Sequence, residues 1–237
     1  MEPKTKKTIK LIIIIAAVAS LPVLIFIGTI IWEWQMDAKM HKDQPVFGSV
    51  NGDEIRFADY MDMLQQEIDN LKETYNKDLT GKELEQVKDA VWSMLVKQKI
   101  IDQQVKLNKI EITDETVEDI MFKNPGSLPD EVKVMFNDST GNFDIQNYIQ
   151  TMNTYTPEVE KFKEKVKLVI KYKLEVNELF DIITKDVKLT DEDYKSAGNS
   201  DKVNELLMTK KNSEVLKWLE DLKLKAVIVD NRKKFVK

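Results

Sequence analysis

Apolar positions set the outline of this chain. From Leu11 to Trp32 they run almost unbroken, LIIIIAAVASLPVLIFIGTIIW, 22 residues without a charge. At about 1.5 Å per residue a helix of that length crosses a roughly 30 Å hydrocarbon layer, so the run predicts one N-terminal transmembrane helix. Lys4, Lys6, Lys7 and Lys10 precede it, whereas Glu33, Asp37, Lys39 and Lys42 follow as a mixture. The positive-inside bias therefore puts the N-terminus in the cytoplasm and the bulk of the chain on the other side. Trp32 and Trp34 suit the outer interface, and Pro22 marks a kink that membrane helices tolerate. A cleaved signal peptide is the competing reading, with Ala17-Val18-Ala19 as its small-x-small site. Cleavage there would strand the uncharged stretch from Ser20 to Trp32 at a new N-terminus, so the uncleaved anchor is favoured.

Beyond the run the period changes. Residues 33–45 show none and read as a spacer. Val46, Phe47, Val50 and Ile55 flank Asn51-Gly52, which predicts a hairpin over 46–55 because a type I′ turn needs two positive φ angles. Phe57, Tyr60, Met61, Leu64, Ile68, Leu71 and Tyr75 then recur at helical spacing, giving a helix of roughly 57–76. Thr80-Gly81-Lys82-Glu83 fits a capping box that opens a long helix, with Leu84, Val87, Val91, Leu95, Ile101 and Val105 on its apolar side. Asn108 is expected to close it in the left-handed conformation. Thr113 caps a shorter helix through Val117, Ile120 and Met121, stopped by Asn124-Pro125-Gly126, and another short helix is expected near 130–136.

Gly141-Asn142-Phe143-Asp144 reads as a turn into a helix bearing Tyr148, Ile149 and Met152. Thr156-Pro157-Glu158 supplies a cap, a first-turn proline and an acid for a long helix reaching about Ile183. Residues 184–200 form a polar linker with a short helix after Thr190. A final amphipathic helix over about 201–225 leads into a closing strand, Ala226–Val229, whose available partner is the early hairpin. The fold class is mostly α: a helical domain with a small β hairpin and a C-terminal helix and strand closing onto it, plus one transmembrane helix.

Composition narrows the chemistry. Among 237 residues, 7 glycines and 6 prolines are too few for a turn-rich all-β fold, and zero cysteines remove disulfides, thiol nucleophiles, thiolate metal sites and a lipid-bearing cysteine. Four lysines against Glu2 and Glu33 give residues 1–35 a charge of +2, which leaves −7 for the rest of a chain at −5 overall. That acidic remainder, with lysines scattered among acids, has no footprint for nucleic acid.

The one histidine, His41, lies in the spacer, so neither a Ser-His-Asp nor a Cys-His centre can be assembled, and no metal site or cofactor is expected. Acid clusters such as Asp191-Glu192-Asp193 sit in first helical turns, where the dipole favours them. Gly126, Gly141 and Gly198 are isolated, so no phosphate loop exists. No enzyme is expected. What remains is apolar surface: methionines and aromatics cluster in the middle of the chain. Taken singly they are core residues at helical spacing; taken together, a methionine-lined groove can repack around many sequences.

Several of these pieces, in this order, resemble the SurA-type chaperone N-terminal domain family, which includes SurA, PrsA and PpiD. They are Val50-Asn51-Gly52-Asp53-Glu54-Ile55, the Leu95, Ile100 and Ile101 region, Asn108-Lys109-Ile110 before Thr113, Gly141-Asn142-Phe143-Asp144 with Tyr148, Thr156-Pro157-Glu158, and Trp218-Leu219 leading to Val227-Ile228. Two positions depart from the pattern: Arg56, where the family often has serine or threonine, and Asn108, where it often has glycine. Family members usually insert a parvulin prolyl-isomerase domain before the closing helix; here Ser196-Ala197-Gly198-Asn199-Ser200 stands in its place, and that domain's histidines and paired glycines are missing.

The resemblance implies a chaperone without isomerase activity, anchored as PpiD is. Its parts would be residues 1–10 as a cytoplasmic tail, 11–32 as the transmembrane helix, 33–45 as a spacer, 46–195 as the SurA-like domain, 196–200 as a short linker, and 201–237 as the closing helix and strand. Such a protein would hold unfolded, newly exported polypeptides on the periplasmic or cell-wall side of the cytoplasmic membrane, without ATP and near the translocation machinery. Met121, Phe122, Met135, Phe136, Phe143, Tyr148 and Met152 are the candidate client-binding residues. A scaffold for one specific membrane partner, or a residual prolyl isomerase, are the alternatives.

Overall fold

The computed structural model describes residues 45–76, 78–197 and 199–235. The expected transmembrane helix over 11–32 and the spacer histidine lie outside the described residues, among which no helix is long and apolar enough to cross a membrane.

The Asn-Gly signal produces its hairpin. Strands β1 (Val46–Val50) and β2 (Asp53–Arg56) pair antiparallel around Asn51 at φ 51° and Gly52 at φ 92°. Four long helices dominate the chain after the hairpin: α1 (Phe57–Tyr75), α2 (Gly81–Leu107), and, after a run of short elements, α6 (Pro157–Thr184) and α8 (Ser200–Lys225). The short elements are α3 (Asp114–Glu118), α4 (Asp130–Lys133) and α5 (Ile145–Met152), with α7 (Asp191–Ala197) between α6 and α8. Strand β3 (Ile228–Asp230) pairs antiparallel with β1, so the sheet order is β2-β1-β3 and the chain is mostly helical with a three-stranded sheet.

Local chemistry explains the helix ends. Thr80 and Glu83 form the expected capping box, the Thr80 N–H donating to Glu83 Oε2 at 2.8 Å and the Glu83 N–H to Thr80 Oγ at 3.4 Å. The far end of α2 corrects the sequence expectation. Lys109, not Asn108, takes the left-handed conformation, at φ 53°. Its N–H reaches Lys106 O and that of Ile110 reaches Val105 O, the paired bonds of a Schellman motif, while Ile110 and Val105 are both buried. Asn108 instead donates its side-chain amide to Gln104 O at 2.8 Å, inside the helix.

Two compact units make up the described chain. The sheet unit holds residues 45–62, Val91–Glu111 and the described part of Leu174–Lys237; the helical unit holds the described part of Met63–Ala90 together with Ile112–Lys173. Helices α1, α2 and α6 each give one portion to each unit.

In the sheet unit, a bulge between Val46 and Gly48 breaks the strand alternation; Phe47 and Val50 are buried and Gly48 is too. Phe47 stacks within 5.2 Å of Phe57, 4.9 Å of Tyr60 and 5.1 Å of Phe235. Gly48 has no room for a side chain, because a Cβ would overlap Val229 O and the Trp92 ring. Asn51 ties three elements: it exchanges backbone and side-chain bonds with Val227 at 2.8 Å and donates to Gln103 of α2, which itself bonds Val50 O and Asp53. Helix α8 is held to α2 by Lys97–Glu220 and by Lys223 donating to Ser93. Asp193 caps α7 through Thr190 and takes a bond from Lys210; that lysine is the main reason its carboxyl is pulled down to about 2.

Candidate functional site

The helical unit strings short turns between α2 and α6; α3 and α5 start on side-chain caps, whereas α4 starts without one. Thr113 Oγ accepts from the Thr116 N–H and starts α3. The chain then widens into one π-helical turn, Asp119–Lys123, where the extra residue per turn sets Met121 inside, at 1% exposure, and its neighbour Phe122 outside at 47%. Asn124 ends the turn with a bond from its N–H to Asp119 O. Helix α4 passes into a 3-10 turn, Val134–Phe136, that buries Phe136 and leaves Val134 and Met135 exposed.

Next comes a tight loop whose centre is Asp138. Its carboxylate accepts from the Thr140 N–H, the Thr140 hydroxyl and the Asn142 N–H, and these bonds hold it below the usual carboxylate range; Gly141 supplies the positive φ of 85°. Asp144 then caps α5 by accepting from the Gln146 and Asn147 N–H groups, and its own N–H returns to Phe136 O at 2.8 Å. That return brings the two motifs flanking the loop against each other.

Tyr148 is the centre of the result. It is fully buried; its ring meets Phe136 edge-on at 5.1 Å and lies tilted to Phe143 at 5.9 Å. Phe162 of α6 adds an edge contact to Phe136 at 5.8 Å. The Tyr148 hydroxyl donates to Met121 O at 3.1 Å, and burial pushes its pKa well above the ordinary tyrosine value. A carbonyl left open by the π-helical turn is thus satisfied from inside the unit.

The seven sequence candidates therefore fall into two groups. Met121, Phe136, Tyr148 and Met152 are interior residues, and Phe143 is half-buried against Tyr148. Phe122 and Met135 stand outside. Val134, Ile145 and Ile149, which were not among the candidates, are also exposed in the same unit. The signal was present: Ile145, Tyr148, Ile149 and Met152 form a four-residue stripe at i, i+3, i+4, i+7, and a short helix can bury one side of such a stripe, here Tyr148 and Met152, while the other side, Ile145 and Ile149, remains wet. Among the described residues no group of three or more His, Cys, Asp or Glu side chains is placed to hold a metal ion.

The SurA-like N-terminal domain model matches residues 4–152, and the chain belongs to that family. Foldase protein PrsA of Caldanaerobacter subterraneus subsp. tengcongensis is 29% identical over 149 residues, covering 58% of this chain and 45% of that protein. The matched part thus spans less than half the length of this relative. No solved structure matches the chain.

Proposed function

We propose that this protein is a membrane-tethered chaperone that holds unfolded exported polypeptides against the outer apolar residues of its helical unit, without ATP and without isomerase activity. The observation that carries the reading is the exposure of Phe122, Val134, Met135, Ile145 and Ile149 on a unit whose interior is already filled by its own aromatic cluster. Apolar side chains left over after a core is complete are available to another chain. Membership of the SurA-like family and likeness to a protein named a foldase support a chaperone role. Residues 11–32 serve as the tether, with the N-terminus cytoplasmic and the folded part on the periplasmic or cell-wall side. Anchoring raises the local concentration of the chaperone where newly translocated chains emerge, which matters more to a holdase than tight affinity.

The test is suppression of aggregation of several chemically unfolded model proteins by the full chain in detergent micelles, beside a prolyl-isomerisation assay. Suppression near stoichiometric amounts, weakened by the pair Phe122→Ser and Met135→Ser and accompanied by no isomerase rate, is the expected result. Failure with every unrelated substrate would turn the reading towards a scaffold for one partner.

A further inference from the structure

One end of the sheet unit differs in charge from the rest of the exported chain. Beyond residue 35 the sequence is acidic, yet residues 230–237 read DNRKKFVK, four cations against Asp230. The described part of this segment is built into the fold. The Asn231 N–H donates to Phe47 O at 2.9 Å, a 3-10 turn covers Arg232–Lys234, and Phe235 stacks on Phe47, two residues after Pro45. The C-terminal turn therefore sits where the chain arriving from residues 33–44 enters the sheet.

The acids at this end are engaged. Asp230 takes bonds from Arg232 Nε and its terminal nitrogen, and the Arg232 guanidinium lies 5.0 Å from the Trp92 ring. Glu54 pairs with Arg56 at 2.8 Å, and Asp59 is buried, accepting from the Arg56 N–H. Lys233 and Lys234 are exposed, the latter donating one bond to Asn231, and partly exposed Phe235 and Val46 belong to the same end. Two lysines beside a half-exposed aromatic ring suit a charged interface with an apolar layer beneath it.

We propose that this end of the sheet unit, through Lys233, Lys234, Phe235 and Val46, docks on the anionic lipid headgroups of the membrane that holds the tether. The proposal rests on the reading of residues 11–32 as a membrane anchor. Residues 33–44 are twelve in number and span at most about 40 Å whatever their conformation, so the patch never leaves the neighbourhood of the bilayer. Lysine ammoniums bind lipid phosphates while Phe235 reaches the boundary of the acyl region. The consequence is a chaperone whose sheet unit rests on the membrane rather than swinging freely from it.

The chain has no cysteine, so Val229→Cys on the exposed face of β3 carries a single fluorophore. The full chain is reconstituted in vesicles containing headgroup-nitroxide lipid, either wholly zwitterionic or one-third anionic, and fluorophore quenching gives the docked-to-free ratio. Stronger quenching in anionic vesicles, abolished by molar salt, is expected. K233Q/K234Q should lower the ratio by roughly 25-fold, from a factor of about five for each lysine, with an unchanged thermal melt. Quenching indifferent to lipid charge, or to the two lysines, overturns the docking, as does quenching that depends on an added anionic wall polymer and not on lipid. Alkaline carbonate separates the two claims: wild type washed off the vesicles overturns the tether and the docking with it, whereas retained protein with charge-independent quenching overturns the docking alone.

Discussion

In the sheet unit, the hydrogen bonds that define the architecture join residues far apart in sequence: Asn51 with Val227, Gln103 with Val50, Lys223 with Ser93. In the helical unit most polar bonds close within four residues, Thr113 with Thr116, Asp138 with Thr140 and Asn142, Asp144 with Gln146 and Asn147. Its longer ties include Tyr148 to Met121 and Lys173 to Glu131. The contrast shows two ways of fixing backbone. Both units bury a full set of apolar side chains and leave others outside; what differs is that the helical unit fixes its turns largely by local bonds, whereas a sheet assembled from remote segments depends on close fit at each crossing.

Removing the centre of the helical unit should have the largest effect. Tyr148→Ala deletes a buried ring and orphans Met121 O, and is expected to destabilise by about 4 kcal/mol. Hydrogen exchange should rise across residues 114–152 well before it rises over 46–56; equal acceleration of both would erase the distinction between the units. Next is Gly48→Ala, which forces a methyl against Val229 O and Trp92 and should cost about 3 kcal/mol, with exchange now rising first in 46–56 and 228–230.

Glu67 of α1 sharpens the comparison from the opposite side. It is buried at 3% exposure, Oε2 has no hydrogen-bond partner, and burial pushes its carboxyl above the ordinary value of 4.5. A raised folded pKa means that the folded state binds the proton more tightly, so stability is present below pH 4.5 and is lost as pH rises through the folded value. Glu67→Met should stabilise by about 1.5 kcal/mol at neutral pH and flatten that decline in thermal melts taken at successive pH values. A variant no more stable than wild type at pH 7 would show that the carboxyl finds relief in solution.

Smaller still is Lys109→Gly. A non-glycine residue in the left-handed region carries strain, so the Schellman turn should gain about 1 kcal/mol, read as a higher denaturation midpoint; a loss would contradict the assigned cap. Least of all, Phe122→Ser should change stability by under about 0.5 kcal/mol while weakening aggregation suppression, since its ring lies outside.

Much of the fold was legible because the signals are local. Asn51-Gly52 dictates its turn by φ alone, Thr80 with Glu83 and Thr113 announce helix starts, and the closing strand expected over Ala226–Val229 does pair with the hairpin, though over Ile228–Asp230. The candidate site was less legible. Met121 and Phe122 are neighbours of similar apolar character, and which one turns inward depends on a π-helical turn that no spacing of residues announces. Asn108 has the better left-handed propensity, yet Lys109 adopts that conformation because Ile110 must then fall back onto Val105. Phe136 and Tyr148 looked like groove residues by composition, but the return bond from Asp144 to Phe136 places them ring to ring.

The pairing of β1 with β3 also has a meaning in time. Asn51 waits for Val227, 176 residues further along, before its side chain finds the strand it bonds. At roughly 5–20 residues per second of synthesis that wait is on the order of 10–35 seconds, during which the hairpin and the local turns of the helical unit can form but the third strand cannot be added. A chain that must itself spend that interval half-finished, with Phe47 lacking Phe235 and Trp92 lacking Arg232, is for those seconds in the same condition as the polypeptides it is proposed to hold.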